Sequence, residues 1–309
     1  MSSAAIATAT RGAMPRRTAR DRFEALAGIG FAMPAFVLLL LTHIAPLFLL
    51  LGLSFTSYEL GAVDVESVGL KNFRDAFADP AMRTSLGNTL LYVAIVVPGS
   101  VLLSLLVAIL VYRRTRSRGF YEVVYFLPVT TTLIAMASMW QFLLHPQLGP
   151  INSFLDAIGM GRTAFLSTPS TVIPTLAAIG VWQLLGFNMV LFLAGLSAIP
   201  KDVYEAADVD GATHPVDRFL RITWPLLGPT TMFVTVTTFI TAFKIFDTVA
   251  VLTHGGPMKS SQTVLYSIYL EGFQYFHIGY SATLTLIFLL FTLLFSGAQT
   301  IFMDRRVHY

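Results

Sequence analysis

Hydrophobic residues in this chain come in long unbroken runs, not in alternation. Six stretches, at about 28–55, 86–112, 121–144, 171–199, 222–252 and 280–303, are mostly apolar. Each is long enough to cross a bilayer as a helix, which takes about 20 such residues. Several are longer, which predicts tilt. The strands of a membrane barrel would instead alternate apolar and polar positions, and a run such as Leu38-Leu39-Leu40-Leu41 does not. The pattern predicts an all-α integral membrane protein of six transmembrane helices in a lipid bilayer. The third and fifth stretches are the least regular of the six, because they carry polar residues.

Composition agrees. Of the 309 residues 55% are hydrophobic and 12% charged, about half the charged fraction of an ordinary soluble domain. Charge position fixes the expected orientation. Fourteen of the 20 lysines and arginines fall on the side that holds both termini: five arginines at 11–22, four at 113–118, Lys201, Arg218 and Arg221, and Arg305 and Arg306. Five fall on the other side, and Lys244 lies inside the fifth stretch. The side richer in lysine and arginine is the cytoplasmic one, so both termini are expected in the cytoplasm. The basic N-terminal segment with its apolar run is too long for a signal peptide and reads as an uncleaved first span. The expected organisation is a basic cytoplasmic tail at 1–27, a transmembrane domain at 28–303 and a short cytoplasmic tail at 304–309.

Cysteine is absent, which removes disulfides and thiolate metal sites; no metal site and no bound cofactor are expected. No G-x-x-x-x-G-K-[ST] loop occurs, so any ATP and Mg would be bound by another chain. Neither an H-E-x-x-H motif nor paired carboxylates within a span suggest a membrane enzyme, so no catalytic residue is assigned. Nucleic acid is not an expected partner.

The segment after the fourth stretch carries the clearest local signal. Pro200 suits the first turn of a helix and Asp202 its positive end. Val203, Ala206 and Ala207 share one face, and Gly211 is placed to end the helix in a left-handed turn. Thr213 can cap a second short helix starting near His214-Pro215. The prediction is a helix–turn–helix elbow at 200–221, lying at the membrane surface with a small-residue face and the carboxylate of Glu205. Residues alone leave open whether it docks a partner or is an ordinary interfacial loop.

The order Glu205-Ala206-Ala207, Gly211, then Ile222-Thr223-Trp224-Pro225 resembles the EAA motif of ABC importer permeases, E-A-A-x(3)-G followed by I-x-L-P, with Trp224 where leucine is usual. Gly186-Phe187-Asn188-Met189 followed by Leu193-Ala194-Gly195-Leu196 and Ile199-Pro200, Phe243-Lys244-Ile245-Phe246-Asp247 with Leu252-Thr253-His254-Gly255-Gly256-Pro257, and Val68-Gly69-Leu70-Lys71-Asn72-Phe73 are similar to signatures of the carbohydrate-uptake branch, the first permeases of maltose- and glycerol-3-phosphate-type importers. The resemblance implies a type I importer permease whose coupling helix, through Glu205, Ala206, Ala207 and Gly211, docks on an ATPase subunit. It also implies a second homologous permease, two ATP-binding subunits, a solute-binding protein and a sugar or related polyol as cargo.

Ionisable groups within spans usually face a cavity or a partner. Lys244 and Asp247, three apart, are expected to share a helix face, either as a structural ion pair, the favoured reading, or as lining of the solute pathway. Trp182, Gln183 and Asn188 in the fourth span and Thr235, Thr238 and Thr241 in the fifth sit at mid-membrane depth. The resemblance places substrate contacts in these regions, at Thr238 and also at Gln183, Phe187 and Asn188. Threonines often bond back to their own helix, so each threonine alone is better read as structural. The few basic residues inside the spans argue against a phosphorylated solute. A stand-alone secondary carrier is the alternative, but such folds show repeated halves around a midplane ion site, and no repeat is visible.

Overall fold

A computed structural model describes residues 19–114, 116–211 and 214–304; the predicted cap Thr213 and the arginines at 11, 16, 17, 305 and 306 lie outside them. Among the described residues the chain is helical, with one isolated antiparallel bridge between Thr56 and Ser67. The first unit, up to Gly52, contains α1 (Ala19–Leu39), a π-turn at Leu40–Ile44 and most of α2 (Ala45–Leu53). Together they make one apolar stretch, Ala27–Leu53, long enough to span a membrane. Pro34 stands inside α1 without breaking it. His43 is exposed and shares a hydrogen bond with the Thr42 hydroxyl at 2.7 Å.

The second unit holds α3 (Lys71–Ala78), α4 (Pro80–Tyr112), α5 (Arg118–Thr130), α6 (Leu133–Leu143), α7 (Pro150–Ala157), α8 (Val172–Ala198), α9 (Lys201–Val209), α10 (Pro215–Arg218), α11 (Trp224–Leu226), α12 (Gly228–Phe243), α13 (Val264–Tyr269) and α14 (Ile278–Asp304). Its centre is the α4–α8 pair, against which α12 and α5 pack. Two apolar clusters run along this pair. One is built around Val96, Leu176, Ile179 and Phe243, the other around Ala108, Met189, Phe192 and Leu227. Small residues let the helices approach, as is usual where lipid supplies no drive for helix association. A Cβ on Gly180 would overlap the Tyr92 side chain, one on Gly186 the backbone of Tyr125, and one on Gly195 the side chain of Thr230.

Four helical stretches are straight enough to span alone, and the other two expected spans are bent pairs. These two are the third and fifth, the ones read as least regular in the sequence. The third turns by 100° between α5 and α6. Pro128 cannot donate a helical hydrogen bond, and the hydroxyls of Thr130 and Thr131 both donate to the Leu127 carbonyl, at 2.9 and 3.0 Å. The chain then leaves in extended conformation at Thr131 and Thr132.

The fifth was expected as one helix over 222–252. It is instead two segments, Pro215–Leu226 and Gly228–Phe243, bent by 68°. Pro225 and Pro229 flank the bend, and each removes a backbone donor beside it. Helix α12 then ends at Phe243, so residues 244–252 are not part of a continuous span. Pro98, by contrast, sits inside the unbroken α4. Proline alone therefore does not set the bends. They fall where a threonine pair or a second proline adds to it.

The segments outside the spans are ordered by side chains bonding to backbone. Asn72 Nδ2 donates to the carbonyls of Ser54 and Thr56, at 3.0 and 2.9 Å. Asn88 Nδ2 donates to the Gln262 carbonyl at 2.9 Å. In the Gly255-Gly256-Pro257 turn, Gly255 has φ +77° and faces the Tyr266 ring too closely to carry a side chain. These bonds account for the Val68–Phe73 and Leu252–Pro257 signatures as turn-forming sequences.

Candidate functional site

Two regions hold the residues singled out from the sequence. The first is the elbow. Helices α8 and α9 are separated only by Ile199 and Pro200, with Pro200 at the cap of α9, one residue before the expected first turn. Gly211 has φ +82°, the left-handed conformation glycine adopts without strain, and it ends the helix as its position predicted. A Cβ there would meet open space. The second helix starts at Pro215, and His214 Nδ1 caps it by accepting from the Val216 amide at 3.3 Å. It does not end at 221 but continues through a π-turn at Phe219–Thr223 into α11. The elbow thus leads directly into the fifth span. Glu205 and Ala206 are exposed and Ala207 is buried, so the small-residue face is divided: one alanine packs inward and the other faces out.

A clamp that the sequence reading did not assign holds α9 to the helix after it. Arg218 Nη1 lies 2.9 Å from Asp208 Oδ1, and its guanidinium sits 5.3 Å from the centre of the Tyr204 ring. The Tyr204 hydroxyl in turn hydrogen-bonds the Thr223 hydroxyl at 3.1 Å. Tyr204 and Asp208 are four apart on α9 and present one face to one arginine. That spacing was visible in the sequence, but nothing local shows that the turn folds Arg218 back across it.

The second region is a cavity of about 490 Å³ walled by α4, α8, the end of α5 and the segment after α12. Gln183, Phe187, Thr241, Lys244 and Asp247, all picked out from the sequence, line it, together with Tyr92, Phe246 and Thr248, which were not. Gln183 lies 15 residues from the end of α8 at Ala198 and 11 from its start at Val172. At 1.5 Å per residue these are about 22 and 16 Å, so the cavity is near the middle of the span.

Lys244 and Asp247 do not share a helix face. Lys244 caps the C-terminus of α12, and the chain is non-helical at Ile245 and Phe246. Among the described residues neither takes part in an ion pair, and both are exposed. The favoured reading of a structural ion pair is therefore overturned. The break follows from the packing of Phe243, which stacks on Phe288 and Phe291 at 5.0 and 5.2 Å, and from the Ile245 carbonyl, which accepts from the Thr263 hydroxyl at 3.1 Å instead of from its own helix.

Three consecutive residues of α8 face three different neighbours. Gly186 meets the Tyr125 backbone, and Phe187, 45% exposed, faces the cavity. Asn188 turns into the core, where its Nδ2 donates to the Thr238 hydroxyl at 2.9 Å; both residues are buried. Asn188 and Thr238 are thus paired with each other and do not line the cavity. Trp182 also lies outside it, edge-on to Trp140 with ring centres 5.4 Å apart. Thr241 and Thr235 bond back to the carbonyls of Thr237 and Thr231, at 2.9 and 2.6 Å, as threonines in helices do. Among the described residues no group of His, Asp or Glu could hold a metal ion.

Comparison with known proteins matches residues 100–308 to the family described as binding-protein-dependent transport system inner membrane component. The chain is 33% identical over 245 residues to the sn-glycerol-3-phosphate transport system permease protein UgpA of Agrobacterium fabrum, covering 78% of this chain and 82% of that one. It is 32% identical over 273 residues to the probable ABC transporter permease protein YurN of Bacillus subtilis, covering 87% and 93%. In fold it matches a chain of the crystal structure of a bacterial alginate ABC transporter in complex with an alginate pentasaccharide-bound periplasmic protein, with a TM-score of 0.81 over 94% of this chain and 98% of that one at 21% identity. The chain belongs to the binding-protein-dependent inner membrane component family: it is a multi-pass permease of an ABC importer.

Proposed function

We propose that this permease works as one of two homologous membrane subunits that move a sugar or related polyol across the bacterial inner membrane, with both termini in the cytoplasm. Two ATP-binding subunits dock at the elbow, through Glu205, Ala206, Ala207 and Gly211, and a solute-binding protein delivers cargo from the other side. ATP and Mg are held by the docked subunits, and this chain performs no hydrolysis. The observation that carries the reading is the elbow itself. An exposed short helix bearing Glu205 and Ala206 is fixed by Asp208 and Arg218 to a helix that runs on into the fifth span. Movement of a docked subunit is passed to that span through an ion pair and an aromatic contact rather than through a slack loop. Closure of the ATPases draws the elbows together and rocks the spans as rigid bodies.

The solute pathway runs through the 490 Å³ cavity. Gln183 and Thr241 offer polar groups to hydroxyls there, and Phe187 and Phe246 offer apolar faces. Asp247 accepts hydroxyl hydrogen bonds. Lys244, without an ion pair among the described residues, supplies a cation to the same wall, so the scarcity of basic residues in the spans does not rule out an acidic polyol; a relative, UgpA, is named an sn-glycerol-3-phosphate transport system permease protein.

The deciding experiment purifies the tagged chain from gently solubilised native membranes. A P-loop ATPase and a second permease should co-purify, and the loaded binding protein should stimulate ATP hydrolysis by the complex. A chain that elutes alone, with the ATPase left in the lysate, would turn the assignment toward a secondary carrier.

A further inference from the structure

A second cavity, of about 410 Å³, lies at the root of the elbow, between the ends of α4 and α8 and the turn that carries α10. Its walls are of two kinds. Ile109, Leu196 and Phe219 are apolar, whereas Arg113, Arg218 and Tyr204 bring two guanidinium groups and a phenol. The division follows the level of the membrane. Helix α4 carries no charged residue after Arg83 and ends at Tyr112, and Arg113 is the first charged residue beyond it. A tyrosine followed by arginine is the usual chemistry of a span where hydrocarbon gives way to head groups. The cavity therefore opens at head-group depth, with its apolar wall on the hydrocarbon side.

The charges in it are not balanced from within. Arg218 spends one edge on Asp208 at 2.9 Å, but a guanidinium has five N–H donors, so others remain. Arg113 has no ion pair among the described residues. Glu122, the nearby acid on α5, is already taken by Arg118 at 2.7 Å. Arg114 and Arg116 follow in the same loop and are exposed. The surplus is positive and is walled on one side by hydrocarbon. A free phosphate has no use for that wall, whereas a lipid places its phosphate among the cations and its first acyl carbons against Ile109 and Leu196. Basic pockets between helices at the cytoplasmic face bind anionic lipid head groups on these terms.

We infer that this cavity holds the head group of an anionic phospholipid, with Arg113 on the phosphate and Arg218 joining the lipid to the elbow clamp. The inference rests on the reading that the elbow faces the cytoplasmic leaflet. Its consequence is that the bilayer sets how firmly α9 is held, and so how well ATP hydrolysis is coupled to transport.

The test uses the complete transporter, with both permeases, its ATPases and the loaded binding protein. It is placed in nanodiscs of phosphatidylcholine alone or of phosphatidylcholine mixed with phosphatidylglycerol. Native mass spectrometry counts the phosphatidylglycerol retained per complex, and ATP hydrolysis is followed in parallel. Arg113→Gln should weaken retention about fivefold, the worth of one basic residue at an anionic surface, and Arg113→Lys should retain it. Phosphatidylglycerol should raise stimulated hydrolysis in the wild type and not in Arg113→Gln. Equal retention by wild type and Arg113→Gln would overturn the lipid site. So would inorganic phosphate reproducing the stimulation in discs of phosphatidylcholine alone, which would assign the site to a soluble anion. The lipid count decides the site whether or not the ATPase responds to binding protein, so failure of the importer reading shows separately, as an absence of stimulation in every lipid.

Discussion

The elbow and the mid-span cavity treat charge in opposite ways. At the elbow Asp208 and Arg218 are paired, and Tyr204 and Thr223 close the contact from a second side. In the cavity Lys244 and Asp247 stand only three residues apart and make no ion pair among the described residues. A paired and stacked arginine holds one geometry, which suits a part that transmits force. Unpaired groups beside an open volume are free to bond something that comes and goes. Both regions also adjoin the packed pair α4 and α8: Tyr204 and Phe219 of the elbow pack on the cluster around Met189 and Phe192, and Tyr92, Gln183 and Phe187 line the cavity.

The comparison breaks most readily at Gly211. Its backbone is left-handed and the space around it is open, so Gly211→Arg adds about 1–3 kcal/mol of local strain without a clash in the core. The variant should insert and accumulate like wild type, while solute uptake falls to background; normal uptake would remove the elbow from the coupling route. Next in size is the clamp. Asp208→Arg and Arg218→Asp should each lower transport about tenfold, and the double exchange should recover most of it. An ion pair this exposed contributes only about 0–1 kcal/mol to stability, so the melting temperature should hardly move. Equal losses in the single and double variants would show that the pair is not the link.

A smaller effect separates the cavity from its frame. Lys244→Gln and Asp247→Asn should change KM for transport severalfold and leave thermal stability unchanged, because neither side chain is paired among the described residues. Asn188→Leu should do the reverse. It strands the buried Thr238 hydroxyl and costs about 1–2 kcal/mol of stability, read as a lower melting temperature with solute preference unaltered. The smallest change is expected from Phe187→Ala, which trims one wall of the cavity and should shift the relative rates of two test solutes about twofold to threefold. If Asn188→Leu changes preference while Lys244→Gln does not, the pathway lies elsewhere than in this cavity.

The sequence by itself determined the solvent, the number of spans and the place of the elbow. These follow from quantities read along the chain: the length of apolar runs and a glycine spaced to end a helix. It also marked the third and fifth stretches as irregular, because their polar residues are local facts. Tertiary structure decided everything that depends on two distant residues sharing one volume. Asn188 and Gln183 look alike in sequence, but five residues of α8, about 140° beyond a full turn, separate a residue that meets Thr238 in the core from one that faces the cavity. Lys244 and Asp247 have the spacing of a helical pair, yet α12 stops at Phe243, whose ring packs on Phe288 and Phe291 of α14, and the Ile245 carbonyl just beyond it accepts from the Thr263 hydroxyl. Arg218 reaches Asp208 only because the glycine turn folds the chain back on itself. Periodicity places a side chain on a face of its own helix, but what that face meets is decided by packing against helices far away in the chain.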